Sequence, residues 1–481
     1  MNTAKRGIKN FVYLISSNIL TVSISILSAN LLGRYLSIES FGSYSYALAF
    51  ASILMGFTDL GIKNMVLREI SKDKTQTKNY YVFTILFKLV LYVIVFVATL
   101  AVMYLSLYSI DLKYAIVLVL VVNAIGGISR IFQVVLRAYE RFEYESIIGV
   151  SGSILNVGLL WILLHSGYDY FGAILSILIT TSFEFIAIYY FFRSIIKQNT
   201  AGTYFKIDIP FAKEYIKKSL PFILWSILGI LYFKIDTIIL QYLKGLEAVG
   251  IYSASRRIIE ALIFIPASLS GVFFPVLSRK YKESQEEFKE IYMKGLKIAF
   301  IIGLPSSIAL FLLSEKIIPL IWTAKYVGSI DSMRILGIFY VFCFLQSITS
   351  TALTAMNKQN MVTFYAFIGF LISITANIVL IPKYSASGAS IATLITEAGI
   401  FLLGIIYISK KLLLKIPLLF FIKVIISAVI MGLVMRLLIN QNLLVLIIVG
   451  IITYLLLING LKIVTEEEKR IIRSIFIKKP A

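Results

Sequence analysis

The sequence has little charge, and acidic charge is scarcest. Only 15% of its 481 residues are charged, with 25 Asp and Glu against 46 Lys and Arg, whereas 59% are hydrophobic. The mean hydropathy of +0.90 is far above that of soluble globular domains. Apolar runs recur almost without pause. This pattern excludes an array of soluble domains and predicts one polytopic α-helical membrane unit.

Residues that build metal and disulfide sites are nearly absent. The single cysteine, Cys343, cannot form an intrachain disulfide, and the single histidine, His165, cannot assemble a metal site alone. We therefore expect neither a metal nor another cofactor. The chain also lacks a G-x-x-x-x-G-K-[ST] phosphate loop and a long outer loop that could carry catalytic groups, so we expect no enzyme.

Apolar runs between charge clusters and turn residues predict about fourteen spanning helices, since roughly 20 helical residues cross the hydrocarbon of a bilayer. The first run is too long for a signal peptide and predicts the first helix. The predicted helices cover residues 11–35, 41–61, 80–106, 114–137, 145–165, 170–193, 218–243, 248–276, 292–314, 332–356, 361–381, 386–408, 416–438 and 442–462.

Basic residues are distributed unevenly between the two sides that these helices define. With a cytoplasmic N-terminus, the segments on that side carry 31 Lys and Arg residues and the outer segments carry six. Since cytoplasmic loops are enriched in Lys and Arg, we predict that both termini are cytoplasmic. This topology also accounts for the net charge of +21. Because no basic stripe alternates with aromatic residues, we expect no nucleic-acid partner.

The longest predicted connection is basic and amphipathic, and we expect it to lie along the inner membrane surface. It divides the chain into two halves. The predicted organisation is an N-terminal lobe of six helices over residues 1–200, the linker over 201–217, a C-terminal lobe of six helices over 218–409, and helices 13 and 14 with a basic cytoplasmic tail over 410–481.

The two predicted lobes share short sequence matches. Residues 42–45 read GSYS and residues 250–253 read GIYS, while residues 172–180 and 388–396 both follow the pattern GA-x-x-x-x-LIT. A repeat of six helices, which is an even number, places both copies in the same orientation, related by a pseudo-twofold axis along the membrane normal. We therefore expect two lobes around a central cavity.

Fourteen ionisable residues within the predicted helices each cost about 2.5–3.5 kcal/mol near the bilayer centre unless they face a cavity or a partner. Basic residues exceed acidic residues by four, which indicates an anionic ligand. Those near helix ends can extend to the interface instead. The basic residues are Lys88, Arg130, Lys234, Arg256, Arg257, Lys297, Arg334, Lys423 and Arg436, and the acidic residues are Asp59, Glu184, Asp236, Glu260 and Glu397.

Predicted helices 7 and 8 carry ionisable residues at the same depth in the membrane. Lys234 and Asp236 lie roughly 10–13 Å from the outer end of helix 7. Arg256 and Arg257 lie at the same depth on helix 8, and Glu260 is four residues after Arg256. Asp236 can therefore pair with one arginine and Glu260 can hold the other. A held guanidinium suits phosphate, which makes this cluster the leading substrate site; a self-neutralising network that only fixes two helices is the open alternative.

Residues 30–64 read NLLGRYLSIESFGSYSYALAFASILMGFTDLGIKN, with an arginine that closes helix 1, an F-G-x-Y motif and a D-L-G that ends helix 2. These motifs resemble those of polysaccharide biosynthesis and O-antigen flippases. The resemblance extends over essentially the whole chain, because such flippases also have fourteen helices and a cationic middle. These belong to the multidrug/oligosaccharidyl-lipid/polysaccharide exporter superfamily.

The resemblance implies that the protein moves a polyprenyl-(pyro)phosphate-linked oligosaccharide from the inner to the outer leaflet of the cell membrane by alternating access, for surface glycan assembly. The partners it implies are this glycan, membrane lipids, and glycan polymerase or ligase machinery. Arginines and lysines in the lumen contact substrate in such flippases, and comparable places here are held by Arg34, Lys234, Arg256 and Arg257. The candidates for a charge network or for ion coupling are Asp59, Asp236, Glu260, Glu184 and Glu397.

Four other functions remain open alternatives. An ion-coupled multidrug antiporter of the same superfamily would need an unpaired carboxylate deep in a lobe, and helix 1 has no acidic residue. A flippase for the peptidoglycan precursor would carry several arginines in helices 1 and 2, which this chain lacks. Short outer loops disfavour a membrane glycosyltransferase or polymerase. A scaffold protein without transport activity is the last alternative.

Overall fold

The computed structural model describes residues 20–21, 23–59, 61–199, 209–414 and 417–463, with the backbone alone at residues 59, 198–199 and 220–227. Three parts of the predicted organisation lie outside the described residues. They are residues 11–19 of helix 1, residues 201–208 of the linker, and the basic tail from residue 464.

The described residues form helices joined by short turns, and no strand occurs among them. Two short 3-10 helices, Lys74–Gln76 and Ala324–Ser329, lie between α-helices. The helices are α1 (20–21 and 23–35), α2 (Ile38–Asp59), α3 (Ile62–Lys72), α4 (Thr77–Leu105), α5 (Ile110–Ala138), α6 (Phe142–His165), α7 (Tyr170–Asn199), α8 (Ile209–Leu262), α9 (Phe264–Glu283), α10 (Gln285–Trp322), α11 (Ile330–Ala355), α12 (Gln359–Leu412), α13 (Leu418–Leu437) and α14 (Leu443–Gly460).

Two helices are far longer than a bilayer is thick. α8 and α12 each contain 54 residues, which amounts to about 80 Å of helix against about 30 Å of hydrocarbon. The backbone breaks inside each of them, at Gly245 with φ 83° and at Ser385 with φ 51°. Each long helix therefore contains two spans, as predicted for helices 7 with 8 and 11 with 12.

The apolar helices account for the predicted number of spans. Within the described residues, 10 helical segments are long and apolar enough to cross a membrane, or 11 when α2 and α3, bent by 43°, are counted together. Two of the 10 are the double-length segments in α8 and α12, and α1 is only partly described. The predicted all-α polytopic membrane fold is confirmed.

The chain divides into two compact units. Unit 1 contains Met1–Ser253 and Ile321–Lys325, and unit 2 contains Ala254–Leu320 and Tyr326–Ala481. The predicted lobe boundaries follow the sequence repeat and the linker rather than packing, and they stay a prediction.

Each unit has its own packed helices. In unit 1, α5 packs against α2, α3, α4 and α7, and α6 packs against α7. In unit 2, α11 packs against α9 and α12, and α13 packs against α14. Helices α13 and α14 share a buried cluster with α10, and the Tyr454 hydroxyl donates a 2.7 Å hydrogen bond to the carbonyl of Ile301. Helices α13 and α14 are therefore fixed to the rest of unit 2.

Two glycines from the matching GSYS and GIYS motifs form a close helix crossing within unit 1. A Cβ added at Gly42 would overlap the carbonyl oxygen of Leu246 and lie 2.7 Å from its carbonyl carbon. A Cβ added at Gly250 would overlap the carbonyl oxygen of Ile38 and lie 2.9 Å from Ile38 Cγ2. Only glycine lets the two backbones approach this closely. The repeated glycines are thus explained by packing between α2 and the second half of α8.

The described end of the linker docks on unit 1 through its aromatic face. Tyr215 is buried and packs on Tyr80 and Phe83, with ring centroids 6.3 and 4.6 Å away. Its hydroxyl shares a 2.7 Å hydrogen bond with Thr84 on α4. Ile209 and Ile216 remain exposed on the opposite face. One face of the segment is therefore held by protein, and the predicted amphipathic linker along the inner membrane surface stays a prediction.

Glu69 on α3 gathers three cations beside this docked segment. α3 has 11 residues, too few to span a bilayer. The Glu69 carboxylate lies 2.9 Å from Lys218 Nζ, 3.2 Å from Lys72 Nζ and 2.9 Å from Arg68 Nε. Burial alone would raise the pKa of Glu69, but hydrogen bonds from Lys218, Lys72 and Arg68 outweigh it and lower the pKa to about 2. The network ties the start of the second half of the chain to α3.

Replacing Gly42 or Gly250 by alanine should lower the free energy of unfolding by about 1–3 kcal/mol, because each Cβ would meet backbone atoms that cannot move aside. The apparent melting temperature of the purified protein in detergent measures the loss. Gly149→Ala is the matched control, since nothing lies within 4 Å of its added Cβ. Melting of the Gly42 or Gly250 variant at the temperature of the control would contradict the close crossing.

Glu69→Gln should lower the free energy of unfolding by about 1–2 kcal/mol at pH 7, since it removes the anion that three cations share, two of them partly screened by solvent. The folded pKa lies below the usual value of 4.5, so the stabilisation is complete above about pH 5 and is lost as pH falls toward 2. Melting curves of native protein and variant should therefore differ most at neutral pH and converge in acid.

The control is Glu214→Gln, because Glu214 pairs with Lys218 at 2.8 Å but its side chain is 62% exposed. Its effect should stay below about 1 kcal/mol. A constant difference between Glu69→Gln and native protein from pH 7 to pH 3 would show that Glu69 contributes through packing and not through charge.

Candidate functional site

The connection between α1 and α2 carries Arg34, the first predicted substrate residue. Its side chain is exposed at the end of α1. The carbonyl groups of Arg34 and Leu36 accept hydrogen bonds of 3.0 and 3.1 Å from Lys325 Nζ, within unit 1. Asn30 also donates a 3.0 Å hydrogen bond to the Ile321 carbonyl. The short segment 321–325 thereby fixes the backbone that presents Arg34.

The break at Gly245 makes a helical hairpin that places Asp236 beside Tyr252. Asp236 is only 2% exposed. Its carboxylate accepts a 2.5 Å hydrogen bond from the Tyr252 hydroxyl and bonds of 2.6 and 3.2 Å from the Thr237 amide and hydroxyl. These donors satisfy a carboxylate at membrane depth. Lys234, one half-turn earlier, is half-buried.

Tyr252 is a site residue that the analysis of charge missed. A usable signal was present, because Tyr252 is the tyrosine of the repeated GIYS motif. Asp236 belongs to unit 1 and Arg256 to unit 2. The predicted pairing of Asp236 with an arginine stays a prediction.

Arg256 is a buried guanidinium at the start of unit 2. Its residue is 8% exposed, and its Nε lies 3.3 Å from Glu260 Oε1, the contact expected for the spacing of four residues. Arg257 is half-buried next to it. The helix thus holds one guanidinium firmly and leaves its neighbour more accessible.

Glu397 on α12 joins this region through Cys343 on α11. Both residues are buried, and Cys343, Glu397 and Arg256 lie in one region of unit 2. Glu260, which pairs with Arg256, belongs to the same region. Sequence spacing could not reveal this, because α8, α11 and α12 meet only through tertiary packing.

The other two predicted carboxylates lie elsewhere. Glu184 is on α7 in unit 1, where it packs against Gly152 of α6. Asp59 ends α2, and its side chain lies outside the described residues. The predicted roles of both residues in ion coupling, and the predicted substrate contacts of the arginines and Lys234, stay predictions.

The chemistry available in these helices is recognition of an anion. A guanidinium donates up to five hydrogen bonds in a planar fork, which matches phosphate oxygens better than an ammonium does. Held by Glu260, Arg256 loses little side-chain entropy when it binds a further anion. Within the described residues, no group of three or more His, Cys, Asp and Glu side chains is placed to hold a metal ion.

Comparison with protein families gives two matches. A family described as "Polysaccharide biosynthesis protein" matches residues 8–281, and the family MatE matches residues 221–379. The first match covers more than half of the chain.

Two curated proteins and one solved structure are similar over most of the chain. The capsular polysaccharide biosynthesis protein CapF of Staphylococcus aureus is 26% identical over 394 residues, covering 81% of this chain and 96% of CapF. A Shigella flexneri protein named as an O-antigen transporter is 23% identical over 401 residues, covering 80% of this chain and 93% of that protein. The lipid II flippase MurJ in an inward closed conformation has a TM-score of 0.75 at 18% identity, covering 98% of this chain and 100% of MurJ. The structural likeness concerns the fold.

Proposed function

The chain belongs to the polysaccharide biosynthesis protein family, and we propose that it is a flippase for a lipid-linked glycan. The substrate is a polyprenyl-(pyro)phosphate-linked oligosaccharide, which passes from the inner to the outer leaflet by alternating access for cell-surface glycan assembly. The names of the relatives from S. aureus and S. flexneri support this substrate class. The proposal includes no enzymatic activity.

The observation that carries the proposal is the paired guanidinium at Arg256 and Arg257 within a spanning helix. Burying an arginine in an apolar segment is unfavourable unless a partner or ligand compensates it. Glu260 holds Arg256, and the half-buried Arg257 and Lys234 supply positive charge for a phosphate group. Arg34 is the fourth proposed contact. Asp236, Glu260 and Glu397 form the supporting charge network in this proposal.

A second candidate is an ion-coupled multidrug antiporter. The MatE match over residues 221–379 favours it, and that range contains Asp236, a buried carboxylate. A cationic drug would be attracted to carboxylates, whereas a lipid phosphate would be attracted to the arginines. The two candidates therefore respond oppositely to removal of positive charge.

The proposed location is the cell membrane, with both termini in the cytoplasm. The 31 basic residues on one side and six on the other support this orientation. The product of flipping is presented on the outer face, where glycan polymerase or ligase machinery would act on it. These enzymes are the proposed partners, together with membrane lipids.

Arg257→Gln should slow translocation of a fluorescent lipid-linked oligosaccharide in proteoliposomes by roughly ten- to a hundredfold. It removes a charge-assisted hydrogen bond to phosphate worth about 1.5–3 kcal/mol. Arg256→Lys should lower the rate as well, because lysine keeps the charge but not the planar fork. Rates are compared at equal amounts of folded, inserted protein.

Arg334→Gln is the matched control for this experiment. Arg334 also lies in unit 2, but it pairs with Asp331 at 3.0 Å near the start of α11. Its removal should leave the rate within about twofold of native. Export of a cationic drug by native protein that does not flip several anionic lipid-linked glycans would replace the proposal by the antiporter.

Single cysteines test the orientation. With the buried Cys343 replaced by alanine, Ser166→Cys should react with an impermeant maleimide in intact cells, and Ser71→Cys should react only after permeabilisation. Both serines are exposed; Ser166 directly follows α6, and Ser71 is in the last turn of α3. The opposite labelling would reverse the topology, and labelling of both from outside would refute the number of spans between them.

A further inference from the structure

Glu184 lies in the middle of α7 and contacts the middle of α6. It is 14 residues from the start of the helix at Tyr170, about 21 Å along the axis. A Cβ added at Gly152 would overlap Glu184 Oε1 and lie 2.9 Å from its carboxyl carbon. The carboxyl group therefore rests directly on the backbone of α6, in space that exists because residue 152 is glycine.

Among the described residues, this carboxyl group has no partner that would compensate its charge. Within the part of the chain that the structure describes, no hydrogen-bond donor or cation contacts Glu184. Its apolar neighbours Phe183 and Ile186 are exposed on the outer surface of α7, the surface that faces lipid in a spanning helix. An ionised carboxylate at this depth costs at least about 2.5–3.5 kcal/mol. This packing suits the protonated, neutral form of the Glu184 side chain.

A second unpartnered polar group lies one turn away on the same face of α7. Thr180 is 7% exposed, and its hydroxyl has no hydrogen-bond partner among the described residues. One turn further, the buried Ser176 accepts a 3.3 Å hydrogen bond from Asn156 of α6. Glu184, Thr180, Ser176, Asn156 and Gly152 form a polar seam between α6 and α7. The seam runs from mid-helix toward the end of α7 at Tyr170.

The spacing within the polar seam suits a proton and single water molecules. Residues four apart on a helix are separated by about 6 Å along the axis, too far for a direct hydrogen bond and close enough for one bridging water. The hydroxyl of Thr180 can both donate and accept. The seam therefore extends from Glu184 to Ser176, in the direction of the Tyr170 end of α7, through groups that can relay a proton.

Few charged groups lie around Glu184, and one of them is on α5. Arg130 faces α7 near Thr181, one turn from Glu184. A Cβ added at Gly126 would lie 3.5 Å from Thr181 Cγ2 and 3.6 Å from Arg130 Nη1. Arg130 is thus a cation on a helix packed against α7, toward which an ionised Glu184 could turn.

The other helices packed on α7 supply no cation at this depth. α6 carries ionisable side chains only near its ends, where Glu145 accepts a 2.7 Å hydrogen bond from Arg137. α2 has its carboxyl groups at its two ends, Glu39 and Asp59, and the side chain of Asp59 lies outside the described residues. On α7 itself, no charged residue lies within two turns of Glu184.

We propose that Glu184 and the polar seam are a proton-binding site of unit 1, whose occupancy is linked to the packing of α6 against α7. Bound proton makes Glu184 a neutral acid that fits against Gly152. Loss of the proton leaves a carboxylate that must reach water or Arg130, so the α6–α7 contact has to loosen. By linkage, whatever favours the loosened packing also favours proton release. The use of this proton to drive glycan transport rests on the proposed function; proton binding itself does not.

Infrared difference spectroscopy of the full-length protein in lipid tests proton binding without transport. At pH 7 the native protein should show the carbonyl stretch of a protonated carboxylic acid that Glu184→Gln lacks. Glu39→Gln is the matched control, because Glu39 is exposed and lies outside the polar seam, so its replacement should leave the acid band in place. Identical spectra of native protein and Glu184→Gln in the acid region would overturn the proposal.

Gly152→Ala tests the geometry of the site. Its Cβ would displace the carboxyl group, so the acid band should shift or disappear, whereas Gly149→Ala should leave it unchanged. The protection of α6 and α7 amides against hydrogen exchange, corrected for the intrinsic rise of the exchange rate with pH, should fall as the acid band is lost at alkaline pH, and should stay constant in Glu184→Gln. Loss of the band without a fall in protection would refute the link to helix packing.

Proteoliposomes with a pH gradient separate this site from the proposed function. The native flipping rate should respond to the gradient, and Glu184→Gln should flip at a rate independent of it. Absence of flipping by native protein while the acid band is present would reject the flippase proposal and keep the proton site. A rate in Glu184→Gln that still follows the gradient would reject the role of Glu184 in driving transport.

Discussion

Hydrocarbon offers no hydrogen-bond partner to a backbone amide, so every peptide group within it must be satisfied inside its own helix. This constraint produces the long apolar helices of this chain and decides where they can be interrupted. The breaks at Gly61, Gly245 and Ser385 have positive φ, and each occurs where a span ends. The hairpin at Gly245 returns the chain into the bilayer beside itself, and this return brings Tyr252 to Asp236.

The same lack of partners governs side chains, and the structure satisfies its membrane carboxylates in different ways. Asp236 receives hydroxyl and amide hydrogens from Tyr252 and Thr237. Glu260 binds Arg256. Among the described residues Glu184 has neither kind of partner, and a neutral acid is the low-energy state that remains. A carboxylate with donors can stay charged through a conformational cycle, whereas one without them exchanges a proton when its surroundings change. This difference is why the proposed proton site is placed at Glu184 and not at Asp236 or Glu260.

Hydropathy and charge could predict the helices because both report on the solvent of each segment, and lipid and water differ greatly as solvents. For that reason the sequence predicted two spans within each of the long helices α8 and α12. Contacts between helices depend on shape, which apolar sequences encode weakly. The repeat contained one such contact, since Gly42 and Gly250 are matched residues that pack at one crossing. The convergence of Glu397 on Cys343 and Arg256, and the position of Gly152 under Glu184, leave no comparable trace in one sequence.

The proposed phosphate-binding arginines and the proposed proton site lie apart, and this separation has a consequence for a transport cycle. The Arg256 network belongs to unit 2, and the polar seam around Glu184 belongs to unit 1. A phosphate that binds arginines and a proton that binds a carboxyl group do not compete for one site, so neither displaces the other directly. Under the proposed function, their coupling must pass through the packing of the helices, and each ligand must change the affinity for the other by the same factor. A rigid protein could not meet this requirement. Helices that loosen when Glu184 loses its proton, as proposed, can meet it.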